Sequence, residues 1–193
     1  MKTGEVGNSI LDDIVVSTHK LKPAKRIERT SILSPQSNNA TVRLATSIER
    51  IDQLASSMSK KLQDMSNLLN QMESEKSDIV REQLAHFFNV LRAFIEEALR
   101  PTGDWSTDQI MSGKSICVSL GDNAFVVQGE RISIDSKCFD IHELPESPTN
   151  NDIQTLTQNI EKALTRVKKL RNNLTSARAQ ITHHSTGSSE IIL

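Results

Sequence analysis

Apolar residues recur along two stretches of this chain at alternating steps of three and four. In the first, Leu44, Ile48, Ile51, Ala55, Met58, Leu62, Met65, Leu69 and Met72 fall on one line; in the second, Ile153, Leu156, Ile160, Ala163, Val167, Leu170, Leu174, Ala177 and Ile181 do so. Alternation sustained over four repeats marks a helix that lies lengthwise on other helices. The intervening positions are mostly polar and neither stretch contains Gly or Pro. Each therefore predicts an unbroken rod, the second about 43 Å long at the α-helical rise.

A third stretch repeats the alternation with Val80, Leu84, Phe87, Leu91, Phe94 and Ala98, and Phe88 and Ile95 widen its apolar face. A widened face predicts two neighbours. Thr41 is the expected N-cap of the first helix, which runs to about Glu73. Ser77 and Asp78 restart a helix after the short polar break, with hydroxyl and carboxylate placed where free N–H groups favour them. So short a connection folds the second helix back antiparallel on the first. Arg100-Pro101 ends it, because proline disfavours a helical residue before it. Met58, Leu62, Phe87, Leu91, Val167 and Leu170 are expected to share one core, with His86 a structural histidine beside it.

After a loop containing Gly103 and Trp105 the period changes to two. Ser115 to Leu120, Phe125 to Gln128 and Ile132 to Ile134 read as short strands parted by Gly121-Asp122-Asn123 and Gly129-Glu130, and Cys138 to Leu144 offers one more. The fold class expected is mainly α: three long heptad-patterned helices in an antiparallel bundle, with a small antiparallel β meander at about 114–144 inserted before the last helix. Residues 1–40, with Pro23, Pro35 and the basic group Lys20, Lys22, Lys25, Arg26 and Arg29, read as a flexible basic tail. The core is 41–182, and 183–193 a flexible C-terminal tail.

Composition narrows the function classes. Of 193 residues 36% are hydrophobic, but aromatics are only 3%, so the core is aliphatic, as in helix bundles. A formal net charge of -1, and a basic tail without interleaved aromatics, argue against a nucleic-acid partner. Residues 101–152 carry nine acids against three bases and 153–184 six bases against one acid, a contrast suited to orienting neighbouring segments. Cys117 and Cys138 lack ligand spacing and read as buried free thiols. No run of about 18 apolar residues offers a membrane span and no secretory apolar core opens the chain.

Candidate chemistry is nearly empty. Gly113-Lys114-Ser115 resembles the end of a phosphate loop, but the glycine required five residues earlier is Asp108. The carboxylates abundant in 101–152 form no paired set on a predicted rigid element where environment could tune the two apart. We expect no catalytic, cofactor-binding or metal residues, no cofactor and no enzymatic activity.

Three stretches carry a family resemblance: Ser77-Asp78-Ile79-Val80-Arg81-Glu82-Gln83 between the first two helices, Ile110-Met111-Ser112-Gly113 before the first strand, and Ile160-Glu161-Lys162-Ala163-Leu164-Thr165-Arg166-Val167-Lys168-Lys169-Leu170-Arg171-Asn172-Asn173-Leu174 in the last helix. Together they resemble the rod-like core of bacterial flagellins and hook-filament junction proteins over about 41–181. Thr175 stands where the family usually has Gly, and Gln180 where it often has Arg. The resemblance implies a structural filament component, exported without a cleaved signal to the extracellular flagellum, with flagellin-like or other long-helix partners and a possible homo-oligomer. The terminal helices by which flagellins polymerise have no counterpart in the first 40 or last twelve residues. The expected form is therefore a monomer or small oligomer. A cytoplasmic coiled-coil module, or a chaperone-like partner of an exported helical protein, is the alternative.

Overall fold

The computed structural model describes residues 31–33, 38–120 and 123–187. The order is β1 (Ser31–Leu33), α1 (Asn38–Ser74), α2 (Asp78–Ala98), α3 (Trp105–Met111), β2 (Ile116–Leu120), β3 (Asn123–Val127) and α4 (Asn150–Gly187). The fold is mainly helical with one small sheet.

The two longest helices follow directly from their seams. All nine alternating positions of α1, Leu44 to Met72, are buried, and so are all nine of α4, Ile153 to Ile181. The two helices pack along each other, and Arg171 Nε donates to Asp52 Oδ1 at 3.0 Å. The early part of α1 thus lies against the late part of α4, and the pair is antiparallel. A second polar tie, Lys169 Nζ to Glu130 Oε2 at 2.6 Å, joins the basic helix to the acidic segment that precedes it.

Helix ends are set by local hydrogen bonds. Past α1, Glu75 Oε1 accepts from the backbone N–H of Lys76 and of Ser77. This bond pair fixes the turn between the helices, while Ser77, the expected cap of α2, has an extended backbone but makes no side-chain capping bond. α4 starts from a reciprocal cap: Thr149 Oγ1 accepts from Asp152 N, and Asp152 Oδ2 accepts from Thr149 N and Oγ1. These bonds hold the Asp152 carboxyl below its ordinary range.

Of the expected antiparallel bundle of three long helices, the structure has α1 packed with α4 and with α2. α2 packs along α1, as the short connection requires, but has little direct contact with α4. Chain segment 131–149 stands between them. Asn89 bonds Leu144 twice, Nδ2 donating to its carbonyl at 2.8 Å and Oδ1 accepting from its N–H at 2.9 Å. Arg92 Nε donates to the Ile141 carbonyl, and from the other side Asn159 Nδ2 donates to that of Asp140. Phe139, Ile141 and Leu144 are buried. Cys138 to Leu144 is therefore no strand, because side chains of two helices take up backbone groups that a neighbouring strand would have used.

The sheet also departs from the meander. β2 and β3 form the expected antiparallel hairpin, Ile116 opposite Val127 and Val118 opposite Phe125; Gly121 and Asp122 lie outside the described residues. Ile132 to Ile134 is not a third strand. Ser112 and Arg131 make one isolated bridge, and Ile132 N donates to the Met111 carbonyl. The segment satisfies the end of α3 instead. Gly129 permits this approach, since a Cβ there would stand 2.3 Å from the Lys114 carbonyl oxygen. The third strand is β1, parallel to β2 with Ile32 opposite Cys117. Within the expected tails, 31–33 form β1 and 38–40 and 183–187 belong to α1 and α4, while 1–30, 34–37 and 188–193 lie outside the described residues.

α3 replaces the loop expected around Trp105. Its seven residues are too few for a periodic signal, and the fold holds them through Asp104. This N-cap accepts from Thr107 N at 3.1 Å, from the Thr107 hydroxyl, and from Ser47 Oγ on α1 at 2.7 Å. Burial alone would raise the Asp104 carboxyl, but the hydrogen bonds from Thr107 and Ser47 and the charge of Arg50 outweigh it and lower the group from 3.8. Cys117 and Cys138 are free but only half-buried, since one lies on the small sheet and the other on segment 131–149, and neither is on the helix seam.

Leu170→Ala removes a side chain that is 1% exposed. We expect a loss of about 2–5 kcal/mol in denaturant titration, and a loss below about 0.5 kcal/mol, the scale of a surface substitution, contradicts the seam. Asp104 gives a prediction in pH. Its folded-state value is depressed, so its stabilisation is complete above the unfolded carboxylate value of about 3.9 and disappears as pH falls through the lower folded value. Thermal melts through that acid range should show wild-type stability falling more steeply than that of Asp104→Asn; equal slopes contradict the assignment.

Candidate interaction surface on the second helix

α2 is apolar around more than half its circumference, so burial of one face leaves another uncovered. The inward face is centred on Ala85, Phe88 and Ile95, all buried, with Leu84, Leu91 and Leu99 partly covered at its edges. Val80, Phe87 and Phe94, expected on the seam, point outward: Phe87 is 57% and Phe94 55% exposed. Of the expected shared core, Met58, Leu62, Val167 and Leu170 are buried and Leu91 partly so, whereas Phe87 is not.

The cause lies in Asn89 and Arg92. Both must reach segment 141–144, and turning them there rotates Phe88 and Ile95 inward and Phe87 out. Two adjacent phenylalanines gave the periodicity two equivalent choices. The polar pair Asn89 and Arg92, one and four residues beyond Phe88, was the available signal, because a helix side carrying an amide and a guanidinium bonds backbone rather than an aliphatic seam.

The outward face forms a ridge of Ile79, Val80, Phe87, Val90 and Phe94. On the α1 side Lys61 Nζ lies 4.9 Å from the centroid of the Phe94 ring, a cation–π contact of about 0.5–1 kcal/mol at an exposed site. On the other side an open cleft of about 820 Å³ runs between the helix and Leu144, Pro145 and Glu146, with Glu82, His86 and Phe87 on its wall. His86 is therefore an exposed cleft residue, its ring 6.2 Å from that of Phe87, instead of a structural core histidine; it follows Phe87 outward.

Exposed single apolar residues are ordinary, but five on one helix face form a contiguous patch, the usual mark of a protein contact. Val42, Trp105 and Val126, also exposed, lie on other elements. Among the described residues no group of three or more His, Cys, Asp or Glu is placed to hold a metal ion, and no helix is long and apolar enough to cross a membrane. The arrangement offers a dry, lengthwise contact for another helix, bordered by Lys61 on one flank and Glu82 and Glu146 on the other. No family model, curated protein or solved structure matches the chain.

The two phenylalanines provide a direct check. Phe88→Ala should cost about 3–5 kcal/mol, while Phe87→Ala should stay within about 0.5 kcal/mol, as at a surface site. Denaturant unfolding of both variants measures this, and the reverse order places the ridge inside.

Proposed function

We propose that this chain is a non-enzymatic structural protein, a flagellin-like subunit or accessory component of a bacterial flagellar filament that acts by lateral packing of long helices. The observation that carries the reading is the uncovered apolar ridge of α2 beside the long α1/α4 pair. A helix whose own fold leaves Phe87 and Phe94 in water is built to give them to another helix. The resemblance in 77–83, 110–113 and 160–174 supplies the flagellar part of the proposal. In the finer form of the reading, α1, α2 and α4 act as an antiparallel three-helix rod outside the cell, its partners being flagellin-like proteins.

The second reading, a coiled-coil module or chaperone-like partner of an exported helical protein, is favoured by the cleft beside the ridge, which gives a single guest helix a groove. Both readings are tested by adding the purified protein to flagellin monomers, seeding filament growth and sedimenting the product. We expect it in the filament pellet, with Phe94→Glu reducing the bound fraction severalfold. Retention in the supernatant as a soluble complex with monomeric flagellin supports the second reading. Absence from both fractions overturns the flagellar assignment.

A further inference from the structure

The ridge of α2 has a symmetry that its apolar character alone does not require. Within it Val80, Phe87 and Phe94 are spaced seven apart, so this central line of three reads the same from either end, with Ile79 and Val90 beside it. A line of that form keeps its register when paired with its own copy about a two-fold axis through its centre, the geometry in which both copies use the same patch. In the antiparallel arrangement Phe87 meets Phe87 of a second copy, and Val80 of each meets Phe94 of the other.

Charge separates this arrangement from a parallel one. Lys61 stands over Phe94, at one end of the ridge. The opposite end adjoins the α1–α2 turn, where Glu73, Glu75 and Asp78 outnumber Lys76. Two-fold antiparallel pairing sets Lys61 of each copy against that acidic turn of the other. Parallel pairing sets Lys61 against Lys61.

Size is consistent with reversible association. Ile79 at 70%, Val80 at 37%, Phe87 at 57%, Val90 at 38% and Phe94 at 55% exposure leave roughly 400–500 Å² of side chain uncovered per copy, taking aromatic side chains at about 150–250 Å². Covering that surface on both copies removes roughly 800–1,000 Å², the size of a weak, reversible contact rather than of a permanent interface.

We propose that the occupant of the α2 ridge is a second copy of this chain, paired antiparallel about Phe87 in a two-fold dimer. The inference rests on reading this face as the contact surface and adds the identity of its partner. Such a dimer is closed, because each copy uses the same surface, so it competes with packing of the ridge on a flagellin-like helix and must part before that packing forms.

Sedimentation equilibrium of the full chain across the micromolar range tests it. We expect a monomer–dimer equilibrium that Phe87→Glu weakens about a hundredfold, on the scale of a central interface residue, with helical circular dichroism unchanged. Phe94→Ser serves as the second variant should Phe87→Glu not fold, and should also weaken the dimer. Lys61→Glu should weaken it severalfold at low salt and less at high salt. A monomer at every concentration overturns the proposal, including one in which deletion of residues 1–30 restores the dimer and so assigns the ridge to the chain's own N-terminal segment. A dimer indifferent to Phe87→Glu and Phe94→Ser overturns the surface, and one indifferent to Lys61→Glu overturns the antiparallel register. A monomer that still enters flagellin filaments overturns only the dimer, whereas a dimer that does not enter them leaves this inference standing and removes the flagellar one.

Discussion

The aliphatic seam between α1 and α4 is the contact on which the other elements depend. Each helix contributes nine buried positions filled by Leu, Ile, Met, Val and Ala, and full burial of one larger side chain stabilises by about 1.5–3 kcal/mol relative to exposure. Such a seam is strong in sum but permissive in detail, because aliphatic side chains at regular spacing pack acceptably in more than one register. Directional bonds then select one. Arg171 to Asp52 crosses the seam itself, and Lys169 to Glu130 ties the same part of α4 to the chain beyond the sheet.

The second layer is organised by backbone groups that need partners. Segment 131–149 passes between α2 and α4 without a regular strand, so its buried amides and carbonyls depend on side chains. Asn89 supplies a donor and an acceptor to one residue, Leu144, in the manner of a strand neighbour. Arg92 and Asn159 serve Ile141 and Asp140. These bonds, more than the apolar content of α2, decide which side of that helix turns inward. The exposed ridge is the consequence.

This explains what was legible in the sequence. The seams of α1 and α4 could be read position by position, because each helix has one apolar line and the rest of its surface is mostly polar. The β2–β3 hairpin was legible from its period-two runs. The phase of α2 was not, since Phe87 and Phe88 satisfy the same alternation one step apart and only the distant Leu144 and Ile141 backbone separates them. α3 was hidden for another reason. Seven residues give no period, and its stability comes from Asp104 bonding both Thr107 and a serine 57 positions earlier. β1 was illegible because three residues acquire strand geometry only from the edge of β2. The exposed ridge, accordingly, was visible as apolar residues but assigned to the interior.

The seam also fixes an order of events as the chain emerges. α1 and α2 meet through a three-residue turn, so their hairpin forms from contacts local in sequence, which close quickly. Asp52 and Arg171 are separated by 119 positions, and the loop between them must be drawn in before the seam repays its entropy. A chain appearing in order from α1 holds that helix complete, with its apolar line bare, while α4, which covers it, is still to come. During that interval the hairpin is an incomplete surface that any passing amphipathic helix can occupy. α4 is therefore the chain's own late-arriving guest. How soon it follows α1 determines whether that surface closes on itself or is taken by another molecule.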